Sequence, residues 1–226
     1  MAIRLARDAK LVRFAASDGL QIEGRLIRRD RDRAVVLCHP HPLHGGSMLT
    51  PVIMTAEQVF QESGYTTLIF NFRGVGGSQG AYGEGRAEVA DVTGGLSFLE
   101  ETLGGPPGLQ AVAGYSFGSF VGGTVAASDP RVRLYLGIAP PLNTYDFGFL
   151  KAAMCAIALI GAKRDEFCDM AELQSLYLRL PATPWLRLLD TDHFFSGVMD
   201  ELGQACRDVT LWAEPKTPPK RPNIPR

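Results

Sequence analysis

At 226 residues, 46% hydrophobic and with a formal net charge of −1, the chain can bury one sizeable core, and nothing in its charge points to nucleic acid or an anionic membrane surface as a partner. Its four cysteines, Cys38, Cys155, Cys168 and Cys206, form no C-x-x-C pair, which argues against a zinc site or a disulfide framework. The first eight residues carry charges where a signal peptide needs an apolar run, and the longest apolar run, 152–160, is too short to span a bilayer. A cytoplasmic protein with no membrane attachment is therefore expected.

In chain order, residues 11–14 and 20–27 read as two strands joined by the turn signal Ser17-Asp18-Gly19. Residues 34–38 form a continuous apolar run, the pattern of a strand covered on both faces. A helix follows from about Pro51, with Ile53, Ala56, Val59 and Phe60 on one face and Gly64 ending it. Residues 66–72 read as a strand. Val89, Val92, Leu96 and Leu99 mark a helix closed by Gly104-Gly105-Pro106-Pro107. A short strand at 110–113 and a small-residue helix at 119–127 flank Ser116. Further strands are predicted at 132–138, 156–160 and 185–189. Asp169 is placed to cap a helix carrying Leu173, Leu176, Tyr177 and Leu180, and a last helix is predicted over about 196–212. This alternation predicts an α/β fold with a mostly parallel sheet of about eight strands, helices on both faces and a leading hairpin. One domain over 1–213 is expected, followed by a tail at 214–226 whose five prolines predict disorder.

Gly114-Tyr115-Ser116-Phe117-Gly118 is a G-x-S-x-G pentapeptide set between a predicted strand and a predicted helix. That context lifts a serine oxygen clear of a sheet as a nucleophile, and the two glycines leave room for the strained turn. A serine nucleophile needs a base and an acid that orients the base. Functional groups in open α/β sheets gather beyond the carboxyl ends of strands. Asp165 follows one such strand and His193 the next, giving the order Ser116, Asp165, His193. Glu166, Asp169, Asp190 and Asp192 rival Asp165 as the acid.

The segment His39-Pro40-His41-Pro42-Leu43-His44-Gly45-Gly46 follows the first buried strand. In this arrangement it supplies one backbone N–H to an oxyanion hole, and the residue after the nucleophile, Phe117, supplies the other. Prolines cannot donate, so His41 is the first candidate and Leu43 the second. A metal bound by His39, His41 and His44 competes with this reading, but the loop lacks a nearby carboxylate. The loop Arg73-Gly74-Val75-Gly76-Gly77-Ser78 lacks the lysine of a phosphate-binding P-loop, and Arg73 reads as structural.

Taken together, H-P-H-P-L-H-G-G-S-M, N-F-R-G-V-G-G-S-Q-G at 71–80, G-Y-S-F-G, D-E-F-C at 165–168 and D-H-F-F at 192–195 resemble the small bacterial α/β-hydrolases related to dienelactone hydrolase and carboxylesterases. The resemblance runs from about residue 10 to residue 213. It implies the α/β-hydrolase fold, a triad of Ser116, Asp165 and His193, and no cofactor. Such proteins place a glycine three residues before the acid; here Ala162 stands there and Gly161 precedes it.

The interval 140–154 is too short for a helical lid, so an open site for a compact acyl group is expected. Leu43, Tyr115, Tyr145, Phe147 and Phe194 are candidate pocket residues, with core packing an open alternative for Tyr145 and Phe147. The expected activity is hydrolysis of small carboxylic esters or thioesters through an acyl-enzyme. The alternatives are lyase or cyclase chemistry on the same fold, or a non-catalytic binding protein. The expected partner is a small-molecule acyl substrate; no metal or other cofactor is expected, and a homodimer is left open.

Overall fold

The computed structural model describes residues 8–181 and 183–214. Among them, eight strands make one sheet: β1 (Lys10–Ala15), β2 (Gln21–Ile27), β3 (Arg33–Cys38), β4 (Thr66–Phe70), β5 (Leu109–Tyr115), β6 (Val132–Ile138), β7 (Ala156–Ala162) and β8 (Trp185–Leu189). Five helices accompany it: α1 (Pro51–Glu62), α2 (Glu88–Leu103), α3 (Phe117–Ser128), α4 (Met170–Arg179) and α5 (Met199–Ala213). The strand order is β1-β2-β4-β3-β5-β6-β7-β8. The β1–β2 hairpin joins antiparallel to β4, and every pairing from β4 onward is parallel.

The apolar run in β3 splits by strand periodicity. Ala34, Val36 and Cys38 face a core shared with α2, α3 and α4, through side chains such as Leu96, Val121 and Leu173. Val35 and Leu37 face the opposite core, built with Ile53 and Phe60 of α1 and Leu202 and Val209 of α5. Both faces of the central strands are thus covered, so their inward and outward residues are equally apolar. The parallel strands all end on one edge, which brings the loops after β3, β5, β7 and β8 together. The link from β6 to β7 holds only a short 3-10 turn at Gly148–Ala152, and no helical lid.

Several boundaries differ from expectation: β5 extends to Tyr115, α3 begins at Phe117 and β7 extends to Ala162. The strand predicted over 66–72 ends at Phe70, because Asn71 turns away to donate to Glu23 and to accept from Met48 N–H. The last helix begins at Met199 rather than 196. The Asp192 carboxylate accepts the N–H groups of Phe194 and Ser196, both at 3.0 Å. Phe195 and Gly197 then take φ of 56° and 77°, outside helical geometry. Apart from Glu214, the predicted Pro-rich tail lies outside the described residues. No helix among the described residues is long and apolar enough to cross a membrane.

Candidate active site

Ser116 sits at the turn from β5 into α3 with φ 54° and ψ −121°, a conformation that costs a non-glycine residue of order 1–3 kcal/mol. Close packing sustains it. A Cβ on Gly114 would stand 2.1 Å from Gly118 O, and one on Gly118 would stand 2.1 Å from Cys38 O. Neither glycine can be replaced without moving backbone. Ser116 N–H donates to Ile138 O at 2.9 Å, which ties the turn to β6.

His193 bridges the other two groups. Its Nε2 lies 2.9 Å from Ser116 Oγ, and its Nδ1 lies 2.9 Å from each Asp165 oxygen. The Asp165 side chain is 0% exposed. Two backbone bonds lace the acid loop to the base loop: Lys163 N–H to Leu189 O at 2.8 Å and Arg164 N–H to Thr191 O at 2.9 Å. Asp165 also accepts Phe167 N–H, and the buried Tyr115 hydroxyl donates to His193 O at 3.1 Å. Burial, with Asp165 and Asp192 nearby, pushes the Tyr115 phenol well above its ordinary pKa, so it stays a donor.

Of the rival acids, Glu166 is exposed and the other three are occupied locally. Asp169 caps α4 through Ala171 N–H, Asp190 pairs with Arg164, and Asp192 holds its own turn. Asp165 is the one of these that reaches His193. The glycine shift is accommodated because β7 runs through Ala162, and Gly161 fits where a Cβ would meet Leu173 at 2.6 Å.

In the loop after β3, both ring nitrogens of His39 are used. Nδ1–H donates to Pro40 O at 2.6 Å, and Nε2 accepts Phe72 N–H at 2.9 Å. Burial lowers the His39 pKa to about 4, so the ring is neutral at neutral pH. Pro40 O belongs to the same planar peptide as the His41 N–H, so holding one aims the other. His41 O in turn accepts the N–H groups of His44 and Gly46, both at 3.1 Å. The N–H groups of His41 and Phe117 have no acceptor among the described residues. The His41 ring lies 5.0 Å from the Phe117 ring, which brings the two segments together. Leu43 is 68% exposed and spends its N–H on His41 Nδ1, so it serves neither the oxyanion position nor a pocket.

A cavity of about 610 Å³ opens over Ser116. One wall is the 40–51 loop; the other includes Pro141, Thr144 and Tyr145, with Phe167 and Phe194 at the exposed rim. Among the described residues no Asp, Glu, Lys or Arg lines it. Of the expected pocket residues, Tyr115, Tyr145 and Phe194 line it. Phe147 does not: it is 1% exposed and packs under Phe120 and Phe149. The short interval after β6 explains the error, since its aromatics alternate between the core and the cavity. Arg73 is bound to Asp91 and Asp18 and is structural. Sequence reading missed Thr144, Pro141 and Phe167, which carry no motif of their own.

Because both nitrogens of His39 and the Nδ1 of His41 hold backbone groups, these rings are not arranged as metal ligands. Among the described residues no cluster of three His, Cys, Asp or Glu side chains could hold an ion. Dialysis against EDTA should leave turnover unchanged, and elemental analysis should find no stoichiometric zinc. Loss of activity restored by added metal would contradict this.

The uncharacterized protein RP471 of Rickettsia prowazekii is 32% identical over 204 residues, spanning 84% of each chain. Among solved structures, ATU1826 of Agrobacterium tumefaciens, a protein of unknown function described as a candidate α/β hydrolase, is 30% identical. It superposes with a TM-score of 0.85 over 94% of this chain and 100% of its own. XC6422 of Xanthomonas campestris, described as an α/β serine hydrolase without lid, is 25% identical, with a TM-score of 0.81 over 98% of this chain and 99% of its own. No protein-family model matches the chain.

Proposed function

The chain belongs to the α/β-hydrolase superfamily, and from that premise we propose that it cleaves small carboxylic esters or thioesters with Ser116 as nucleophile, His193 as base and Asp165 as the orienting acid. The observation that carries the reading is the continuous chain of 2.9 Å contacts from Asp165 through His193 to the strained Ser116. Asp165 accepts the Nδ1–H of His193, which leaves Nε2 free to take the serine proton. Ser116 Oγ then attacks the acyl carbon. The carbonyl oxygen becomes an oxyanion facing the Phe117 and His41 N–H groups. His193 returns the proton to the departing alcohol or thiol, and the acyl-enzyme is left. A water repeats the sequence, its proton going to His193, to release the acid and restore Ser116.

The cavity supports an uncharged acyl group, because no Asp, Glu, Lys or Arg among the described residues lines it to replace the lost hydration of an ion. Its volume falls within the usual range for small-molecule sites. Without a lid, long chains run out into solvent, where each added methylene gains little. In a panel of p-nitrophenyl esters and acyl thioesters of graded length, kcat/KM should be highest for short acyl groups and flat or lower for long ones. No jump should appear as substrate passes its micellar concentration. A strong preference for emulsified long-chain triglycerides would contradict the substrate assignment. If Ser116 reacts with a fluorophosphonate but no ester or thioester turns over, the hydrolase reading yields to lyase or cyclase chemistry.

A further inference from the structure

The glycine-rich excursion between β4 and α2 has no part in the triad, yet it delivers one side chain to the active-site loop. Tyr82 lies 41 positions from His41 in sequence, and its hydroxyl is 3.1 Å from His41 Nε2, with the two rings 4.9 Å apart. The segment carrying Tyr82 is held firmly. The fully buried Glu88 carboxylate accepts the N–H groups of Gly83 at 2.7 Å and Gly85 at 2.8 Å. Gly74 lets the chain close on Ala81, where a Cβ would stand 3.0 Å from its Cα.

The other ring nitrogen of His41 is also committed. Nδ1 accepts the N–H of Leu43 at 3.2 Å and so caps the short turn Pro42–His44. An accepting Nδ1 carries no proton, so the neutral ring holds its proton on Nε2 and donates it to Tyr82. A ring in the other tautomer, or a cationic ring, would set its Nδ1–H against the Leu43 N–H. The turn would then lose its cap, beside the very residue whose backbone N–H faces the oxyanion.

We propose that Tyr82 is a positioning residue for the oxyanion turn: by accepting the Nε2–H of His41, it fixes the tautomer whose Nδ1 holds the Leu43 N–H. The inference rests on the serine-hydrolase reading above only for its kinetic consequence. Partial burial and the neighbouring His44 lower the His41 pKa, which opposes the cationic form, while Glu88 acts in the other direction. The Tyr82 ring also lies 5.8 Å from the Phe117 ring, which in turn lies 6.1 Å from Tyr145 on the cavity wall, so the packing runs from the turn to the substrate space.

The test is Tyr82→Phe, which keeps the ring against His41 and Phe117 and removes only the acceptor. The chain has four histidines, so single His→Gln variants at the other three assign the His41 signals in a long-range ¹⁵N–¹H spectrum of histidine-labelled protein. The wild type should show the Nε2–H tautomer at His41, and Tyr82→Phe should shift it toward a mixture. With the best p-nitrophenyl ester, kcat should fall about tenfold while KM stays within about twofold, because the displaced donor acts on charge that develops only in the transition state. An Nδ1–H tautomer in the wild type would overturn the proposal without any variant. So would an unchanged tautomer in Tyr82→Phe, even if kcat fell. Absence of ester turnover in wild-type protein whose tautomer follows Tyr82 as described would instead sink the hydrolase reading alone.

Discussion

Ser116→Ala should lower kcat by about six orders of magnitude and abolish labelling by a fluorophosphonate. The expectation follows from geometry that no other serine shares. Ser116 occupies a strained turn, exposes its Oγ to the cavity and meets His193 Nε2 at 2.9 Å. Ser119, one turn along α3, is buried and donates its hydroxyl to Ser116 O at 2.6 Å. Ser78 donates to Asn71 O. Removing one oxygen at position 116 should not disturb the fold, since the turn is held by backbone bonds and by the absence of side chains at Gly114 and Gly118. Thermal unfolding should therefore stay close to wild type. Labelling that persists in the alanine variant would disprove the assignment.

His193→Ala should cost nearly as much as Ser116→Ala, because the members of a triad act as a unit. Asp165→Asn should lower kcat by about 10,000-fold. The amide has the shape of the carboxylate, so the loop can still close. It can, however, present an N–H to Nδ1, which favours the His193 tautomer that cannot accept the serine proton. The control is Asp192→Asn. That side chain accepts the N–H groups of Phe194 and Ser196 in its own turn, a role an amide oxygen can fill, so the variant should turn over close to the wild-type rate. Asp169→Ala should cost about 1 kcal/mol of stability through a lost helix cap, with little effect on rate. An active Asp165→Asn beside an inactive Asp192→Asn would reassign the acid.

The hairpin followed by alternating strands and helices was legible in the sequence, because local periodicity records which faces are buried. The elbow at Ser116 was legible for a related reason: its glycines are demanded by contacts within a few residues and by one neighbouring strand. Chain order brought Asp165 and His193 into consideration but left five acids in competition. Only the tertiary structure separates them, because the lacing of the 163–165 loop to the 189–191 loop decides which carboxylate reaches the ring. The inward turn of Phe147, the late start of α5 and the task of each loop histidine were hidden in the same way. A histidine looks alike in sequence whether it binds metal, peptide or proton. Its role is set by partners such as Phe72 and Tyr82, which lie 33 and 41 residues away and meet it only when the sheet is assembled.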